Sequence, residues 1–232
     1  MNTPRFAFFD VDKTLINVKS MFSFQSFYHR RRWGSLGSQI ADWRSRSHIK
    51  RLIVQGADRT QVNTAFFAGF RGARPDEMQV AAISWFEHVR TSADFFIEPV
   101  LDVLRKHQQD GTKPVFVSGS SVEILQPLAD QLQVHHILAN RLEVDAGRYT
   151  GRILSPQTIG AGKREAVNIF MMDHGANPNC CFAYGDHLSD LPLLETVGHP
   201  TVVARNNDLI AIARDRGWPI INTQPSTIGV SP

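Results

Sequence analysis

The stretch Phe6-Ala7-Phe8-Phe9-Asp10-Val11-Asp12-Lys13-Thr14-Leu15 decides how this chain is read. An apolar run that ends abruptly in two carboxylates one residue apart has the pattern of a buried strand that delivers charge at its C-terminal end. Alternate residues of an extended strand point the same way, so on regular backbone Asp10 and Asp12 share one face and Val11 takes the other. Two unpaired carboxylates that close repel each other. A divalent cation between them, or protonation of one of them for acid–base work, relieves the repulsion. Two acidic turn residues at a strand end are the reading without chemistry.

The 232 residues, 42% of them hydrophobic, suffice for one good core and leave room for a second small domain. No apolar run is long enough to span a bilayer, and the N-terminus lacks a basic segment followed by an apolar one, so a cytoplasmic location without membrane contact is expected. The two cysteines, Cys180 and Cys181, are adjacent, which suits neither a disulfide framework nor a metal site; they are expected to be small buried strand residues. The net charge of +3 has a local origin: His29, Arg30, Arg31, Arg32, Arg44, Arg46, His48, Lys50 and Arg51 face only Asp42 as a counter-charge. A solvated helix face, attraction of an anionic small substrate and nucleic-acid binding all fit such a cluster. No aromatic-interleaved signature accompanies it, so no nucleic-acid partner is expected.

Residues 19–96 carry no strong strand pattern and read as helical, with Met21, Phe24, Phe27 and Tyr28 at near-helical spacing, a cap at Asp58 or Thr60, and Pro75 opening a further helix. Strand and helix patterns alternate after Pro99. Pro114-Val115-Phe116-Val117-Ser118, His136-Ile137-Leu138-Ala139, Cys180-Cys181-Phe182-Ala183-Tyr184 and Thr201-Val202-Val203-Ala204 read as strands, with a hairpin around Asp145-Ala146-Gly147 and a helix carrying Ala166, Val167, Ile169 and Phe170 on one side. The fold class is therefore α/β: a mostly parallel, Rossmann-like sheet with helices on both faces. Asp10, Ser118 and Asp186 then meet at the C-terminal edge of the sheet, where such folds place their sites.

These residues carry a resemblance. Asp10-Val11-Asp12-Lys13-Thr14-Leu15 resembles the first motif of the haloacid dehalogenase-like hydrolases, and Ser118, Lys163 and Gly185-Asp186-x-x-x-Asp190 match the other three in order. The helical insert resembles the small cap of the subfamily (IB) that includes phosphoserine phosphatase, as do Glu123-x-x-x-Pro127, Tyr149-x-Gly151 and Arg216-Gly217-Trp218-Pro219-Ile220. The likeness runs from Phe6 to Ile221. It implies a catalytic core of residues 1–16 and 97–232 with an all-helical cap, residues 17–96, that sets substrate specificity.

The resemblance also implies a chemistry: a Mg²⁺-dependent phosphatase acting on a small phosphorylated metabolite through an aspartyl-phosphate. Asp10 is the implied nucleophile and Asp12 the acid and base. The metal is implied to be held by Asp10, the backbone carbonyl of Asp12 and Asp186. Lys163 supplies fixed positive charge, and Ser118 with the turn at Gly119 hydrogen-bonds the phosphoryl oxygens. Asp190 and Thr14 are expected to support these groups from behind. His187 is expected to face outward, since Mg²⁺ prefers oxygen ligands.

The stretch Asn17-Val18-Lys19-Ser20-Met21 lacks the acid with which phosphoserine phosphatases recognise an amine, so Lys19 and the basic cluster suggest a sugar, cyclitol or acid phosphate instead. A phosphotransferase using the same intermediate and a non-catalytic receiver-like Mg²⁺ module are the rivals. The leaving-group acid at Asp12 and the large cap both argue against the second.

Overall fold

The computed structural model describes residues 4–223. The first strand, β1 (Phe6–Phe9), is buried at every position and leads into a loop through Thr14. Three helices follow: α1 (Ser20–Val54), α2 (Arg59–Ala68) and α3 (Pro75–Val89). α1 is interrupted at Gly34, whose φ of 66° suits glycine far better than any residue with a side chain, and the chain turns back there. Asp58 caps α2, accepting from the Gln61 N–H while the Gln61 side chain accepts from Asp58, and Pro75 occupies the first turn of α3.

Then come α4 (Glu98–Gln109), β2 (Lys113–Ser121), α5 (Val122–Gln131), β3 (His136–Asn140) and the hairpin β4 (Leu142–Asp145) with β5 (Arg148–Ile153), whose turn residues Ala146 and Gly147 both have positive φ. The chain closes with α6 (Ala161–Asp173), β6 (Phe182–Gly185), the short α7 (Leu191–Leu194), β7 (His199–Val203), α8 (Asn207–Asp215) and β8 (Ile220–Ile221).

The main sheet has the order β3-β2-β1-β6-β7-β8 and every pair in it is parallel. β1 lies inside it, so alternate side chains enter two cores. Phe6 and Phe8 pack with Val167, Phe170 and Met171 of α6, while Ala7 and Phe9 pack on the opposite face, in the cluster that holds Leu104 and Leu128. That second core continues through Phe24, Phe66, Phe67, Phe70 and Trp85, so α1–α3 are joined to the sheet layer by one continuous apolar cluster. In register, Phe9 stands beside Phe116 and Tyr184. Because the three strands run parallel, their C-terminal ends, which lead to Asp10, Ser118 and Asp186, lie at one edge of the sheet.

Two expectations need correction, and one strand is unexpected. Cys181 is buried but precedes β6, and Cys180 lies in a half-exposed 3₁₀ turn opened by Pro178, so neither is a strand residue. Ile169 is 42% exposed; the buried stripe of α6 is Ala166, Val167, Phe170 and Met171. Ile220-Ile221 adds an edge strand that two residues are too short to announce. The basic cluster is a solvated face of α1, apart from His29, which is buried against Asp42 at 2.6 Å. Among the described residues no helix is long and apolar enough to cross a membrane.

Candidate active site

Asp10 sits one residue past β1 with 6% of its surface exposed, its N–H still donating to the Tyr184 carbonyl at 2.9 Å. Its carboxylate oxygens have different partners. Lys163 Nζ donates to Oδ1 at 2.5 Å, and Thr14 Oγ1 donates to Oδ2 at 2.8 Å. Lys163 is in the first turn of α6 and is itself buried, and its Nζ also donates to Asp190 Oδ1 at 2.7 Å. The start of α6 comes this close because residue 162 is glycine: a Cβ there would lie 1.8 Å from the Gln157 carbonyl oxygen.

Asp186 follows β6, and Thr14 Oγ1 reaches its Oδ1 at 3.2 Å. Asp190 turns its other oxygen, Oδ2, back to accept the N–H groups of Asp186 and His187 at 3.2 and 3.1 Å. Both Asp190 oxygens are thus engaged by protein donors, and Asp190 sets the Asp186 loop and the Lys163 ammonium. Asp12 is held elsewhere: its Oδ2 accepts the Ser20 N–H at 2.9 Å, and its Oδ1 is buried with no protein partner.

Electrostatically the site is rich in negative charge. Asp10, Asp186 and Asp190 each bring a carboxylate oxygen within 4.8 Å of the others, against a single lysine. Burial pushes Asp10 up to about 7 even though the Lys163 charge pulls it down. Burial also pushes Asp12 to about 7 against the Ser20 hydrogen bonds, and burial with the nearby Asp190 takes Asp186 to about 6. Burial disfavours the Lys163 ammonium, but Asp10 and Asp190 outweigh it and raise its pKa. An all-oxygen donor set with surplus negative charge fits a hard divalent cation, whose field would reverse the upward push on Asp10 and Asp186.

These side chains line a cavity of about 90 Å³ together with Ser118, Gly119, Arg59 and His187. Residues 7–195, which carry all of the carboxylates of this site, fit the family model described as haloacid dehalogenase-like hydrolase. The chain belongs to that family. A Mycobacterium tuberculosis protein named "Probable phosphatase" is 31% identical over 227 residues, which span 93% of this chain and 74% of that one. The crystal structure of a Bordetella pertussis Tohama I protein of unknown function superposes with a TM-score of 0.84 at 26% identity, covering 96% and 100% of the two chains. A substrate-bound phosphoserine phosphatase shares the fold, with a TM-score of 0.65 at 15% identity over 95% of this chain and 94% of that one.

Beside the haloacid dehalogenase-like motifs stand residues that the sequence reading did not single out. The Gly119 carbonyl accepts from Asn63 Nδ2 on α2 at 2.8 Å and from Asn140 Nδ2 at the end of β3 at 2.7 Å, and Asn140 also donates to Asn63 Oδ1 at 2.7 Å. Gln157 Nε2 adds a donor to Asn63 Oδ1 at 2.9 Å, and Asn140 Oδ1 accepts the Thr158 N–H at 2.9 Å. This buried amide network fixes the turn after Ser118, whose Oγ accepts the Ser120 N–H at 3.1 Å. Ser20 Oγ donates to Ser120 Oγ at 2.9 Å, a second tie between α1 and that turn. Lone asparagines carry no spacing signal, so only the folded chain reveals the set.

His187 corrects an expectation. It is half-buried and lines the cavity, with Arg59 Nη1 2.8 Å from its Nδ1. Lys19 lies outside the cavity, on the wall of an adjoining pocket. Glu123 and Tyr149, from two of the shorter likenesses, are partners: Tyr149 Oη donates to Glu123 Oε1 at 2.9 Å, beneath the helical layer.

Proposed function

We propose that the chain is a Mg²⁺-dependent phosphatase that hydrolyses a small phosphate monoester through an aspartyl-phosphate on Asp10, with residues 17–96 acting as a cap over a core of residues 1–16 and 97–232. The observation that carries the proposal is the buried Asp10 carboxylate at a strand end, one oxygen on Lys163 and the other on Thr14, facing a cavity shared with Asp12, Ser118 and Asp186. A receiver-like module has no use for a second acid at Asp12, held apart from the other carboxylates by the Ser20 N–H.

Asp10, Asp186 and the Asp12 carbonyl would hold the cation, which when bound neutralises charge on the phosphoryl oxygens and on the carboxylates. In the first step Asp10 attacks phosphorus, the P–O bond to the alcohol breaks, and Asp12 gives the leaving oxygen its proton. Burial keeps that proton available near neutral pH, since it lifts Asp12 to about 7. In the second step a water attacks the acyl phosphate, returns a proton to Asp12 and releases inorganic phosphate and Asp10. Lys163 holds the Asp10 carboxylate in place throughout and offsets charge on the transferring group. Ser118 and the turn at Gly119 receive the equatorial oxygens.

The Asp10→Asn variant tests the proposal, being nearly isosteric. It should fold with unchanged circular dichroism and lose all turnover of p-nitrophenyl phosphate and of alkyl phosphates. In the wild type, rapid quenching into hydroxylamine should modify Asp10, located by peptide mass. Turnover by Asp10→Asn within tenfold of wild type would remove Asp10 as the nucleophile.

A further inference from the structure

The 90 Å³ cavity around Asp10 holds a phosphoryl group and little else, so the alcohol portion of the substrate must extend from it. The space available is a second pocket, of about 410 Å³, between the two ends of α1 and the first turns of α2. The two are continuous: Met21, Arg59, Asn63, Ile159 and His187 line both. The walls beyond this neck are Phe22, Ile49, Ile53, Val62 and Phe66. Among the described residues no aspartate or glutamate lines the pocket, and its charged side chains are Lys19 and Arg59 at the rim and neck.

Those walls reward an apolar group and penalise a hydroxyl or amine left without a hydrogen-bond partner. An ammonium would also meet the like charges of Lys19 and Arg59 with no carboxylate to receive it. Resting on the phosphatase reading above, we propose that the substrate is a phosphate monoester whose alcohol carries an uncharged, largely hydrocarbon group seated in the pocket walled by Phe22, Ile49, Ile53, Val62 and Phe66. The pocket thus favours apolar alcohols over the sugar, cyclitol or amino-alcohol esters that a polar cap would select.

A homologous series tests this. Each methylene that enters the pocket is worth about fourfold in kcat/KM, the transfer preference of one buried CH₂, so hexyl phosphate should exceed ethyl phosphate by at least about tenfold. 6-Aminohexyl phosphate, with a charged end on the same chain, should fall well below hexyl phosphate. Hexylphosphonate should inhibit more strongly than ethylphosphonate by a similar factor, a measure of binding that needs no turnover. Ile53→Glu, at a position 57% exposed and therefore tolerant of charge, should collapse the hexyl-to-ethyl ratio towards one and reverse the preference between hexyl and 6-aminohexyl phosphate. Turnover of p-nitrophenyl and ethyl phosphate with a flat chain-length profile would overturn the pocket assignment while leaving the phosphatase standing. So would a hexyl-to-ethyl ratio that Ile53→Glu leaves unchanged. Failure to turn over any of these esters would remove both.

Discussion

The backbone N–H of Ser20, the first residue of α1, donates to Asp12 Oδ2 at 2.9 Å, so a helix of the proposed cap holds the side chain proposed as the leaving-group acid. The first N–H groups of a helix lack intrahelical partners, and a carboxylate there satisfies one of them. The other oxygen, Oδ1, is buried without a protein partner, which favours a proton on it.

Proline at position 20 separates this contact from the rest of the serine. The first helical position tolerates proline, and Lys19 before it already has the extended backbone that a following proline demands, at φ −94° and ψ 97°. Compared with Ser20→Ala, which loses the hydroxyl but keeps the N–H, Ser20→Pro should lose about a further tenfold in kcat on an alkyl phosphate, part of the 10²–10⁴ of acid catalysis. On p-nitrophenyl phosphate, whose leaving group hardly needs a proton, the further loss should be small. Asp12→Asn should show the same contrast more strongly. Equal losses on both esters would place the acid elsewhere.

Asp190 accepts Lys163 Nζ with one oxygen and two backbone N–H groups with the other. Asparagine keeps one acceptor but turns an NH₂ towards groups that are all donors. Asp190→Asn should therefore lower kcat by about 10–100-fold, the usual effect of disturbing groups behind a metal site, and raise the Mg²⁺ concentration for half-maximal activity. A normal Mg²⁺ titration with normal kcat would show that Asp190 positions nothing the reaction uses.

The parts of this molecule legible in the sequence are those with a period or a fixed spacing. Phe6–Phe9 announces a buried strand because four apolar residues end in charge, and Asp58 and Thr60 announce a helix start because short acceptor side chains there can satisfy its first N–H groups, although only the structure selects Asp58, paired with Gln61. The Asn63, Asn140, Gln157 and Gly119 cluster has neither, since it joins residues as many as 94 apart through side-chain amides. The outward placement expected of His187 failed for a related reason. Metal preference says what His187 does not bind, whereas its position depends on Arg59 at the start of α2, brought to it across 128 residues.

Without metal, the site should make the protein less stable as pH rises. The folded-state pKa values of Asp10 and Asp12, about 7, and of Asp186, about 6, all lie above the unfolded value of 3.8, so the folded state binds more protons between those limits. Stability contributed by the neutral carboxyls is present below about pH 4 and is lost as pH rises through 6 to 7. His107, His136 and His187 are depressed, chiefly by burial, and work in the opposite direction below pH 6.5. A comparison of proteins isolates the carboxyls. Between pH 5 and pH 7.5 the Tm of EDTA-treated wild type should fall by at least about 3 °C relative to Asp12→Asn, as about 1 kcal/mol implies for a chain of this size. Parallel melting curves for the two proteins would show that Asp12 has an ordinary carboxyl pKa.

Mg²⁺ should support activity and Ca²⁺ should inhibit it. The two Asp10 oxygens are already divided between Lys163 and Thr14, and Thr14 also reaches Asp186, so Asp10 and Asp186 each have an oxygen beside the same hydroxyl. Mg²⁺ demands six ligands in near-ideal geometry at about 2.0–2.1 Å and would take a single oxygen from each carboxylate, filling its shell with water and phosphate. The second Asp10 oxygen, held only by its hydrogen-bond donor, would then stay off the metal and face phosphorus. Ca²⁺ accepts six to eight ligands at longer distances and readily takes both oxygens of one carboxylate, which would leave Asp10 without an oxygen to attack in line. Protein treated with EDTA should be inactive, regain activity on titration with Mg²⁺, and lose it again as Ca²⁺ is added at fixed Mg²⁺. Ca²⁺ should nevertheless raise the Tm at pH 7.5 as Mg²⁺ does, because either cation relieves the repulsion among Asp10, Asp186 and Asp190. Full activity after exhaustive chelation, or in Ca²⁺ alone, would rule out a cation-organised attack by Asp10.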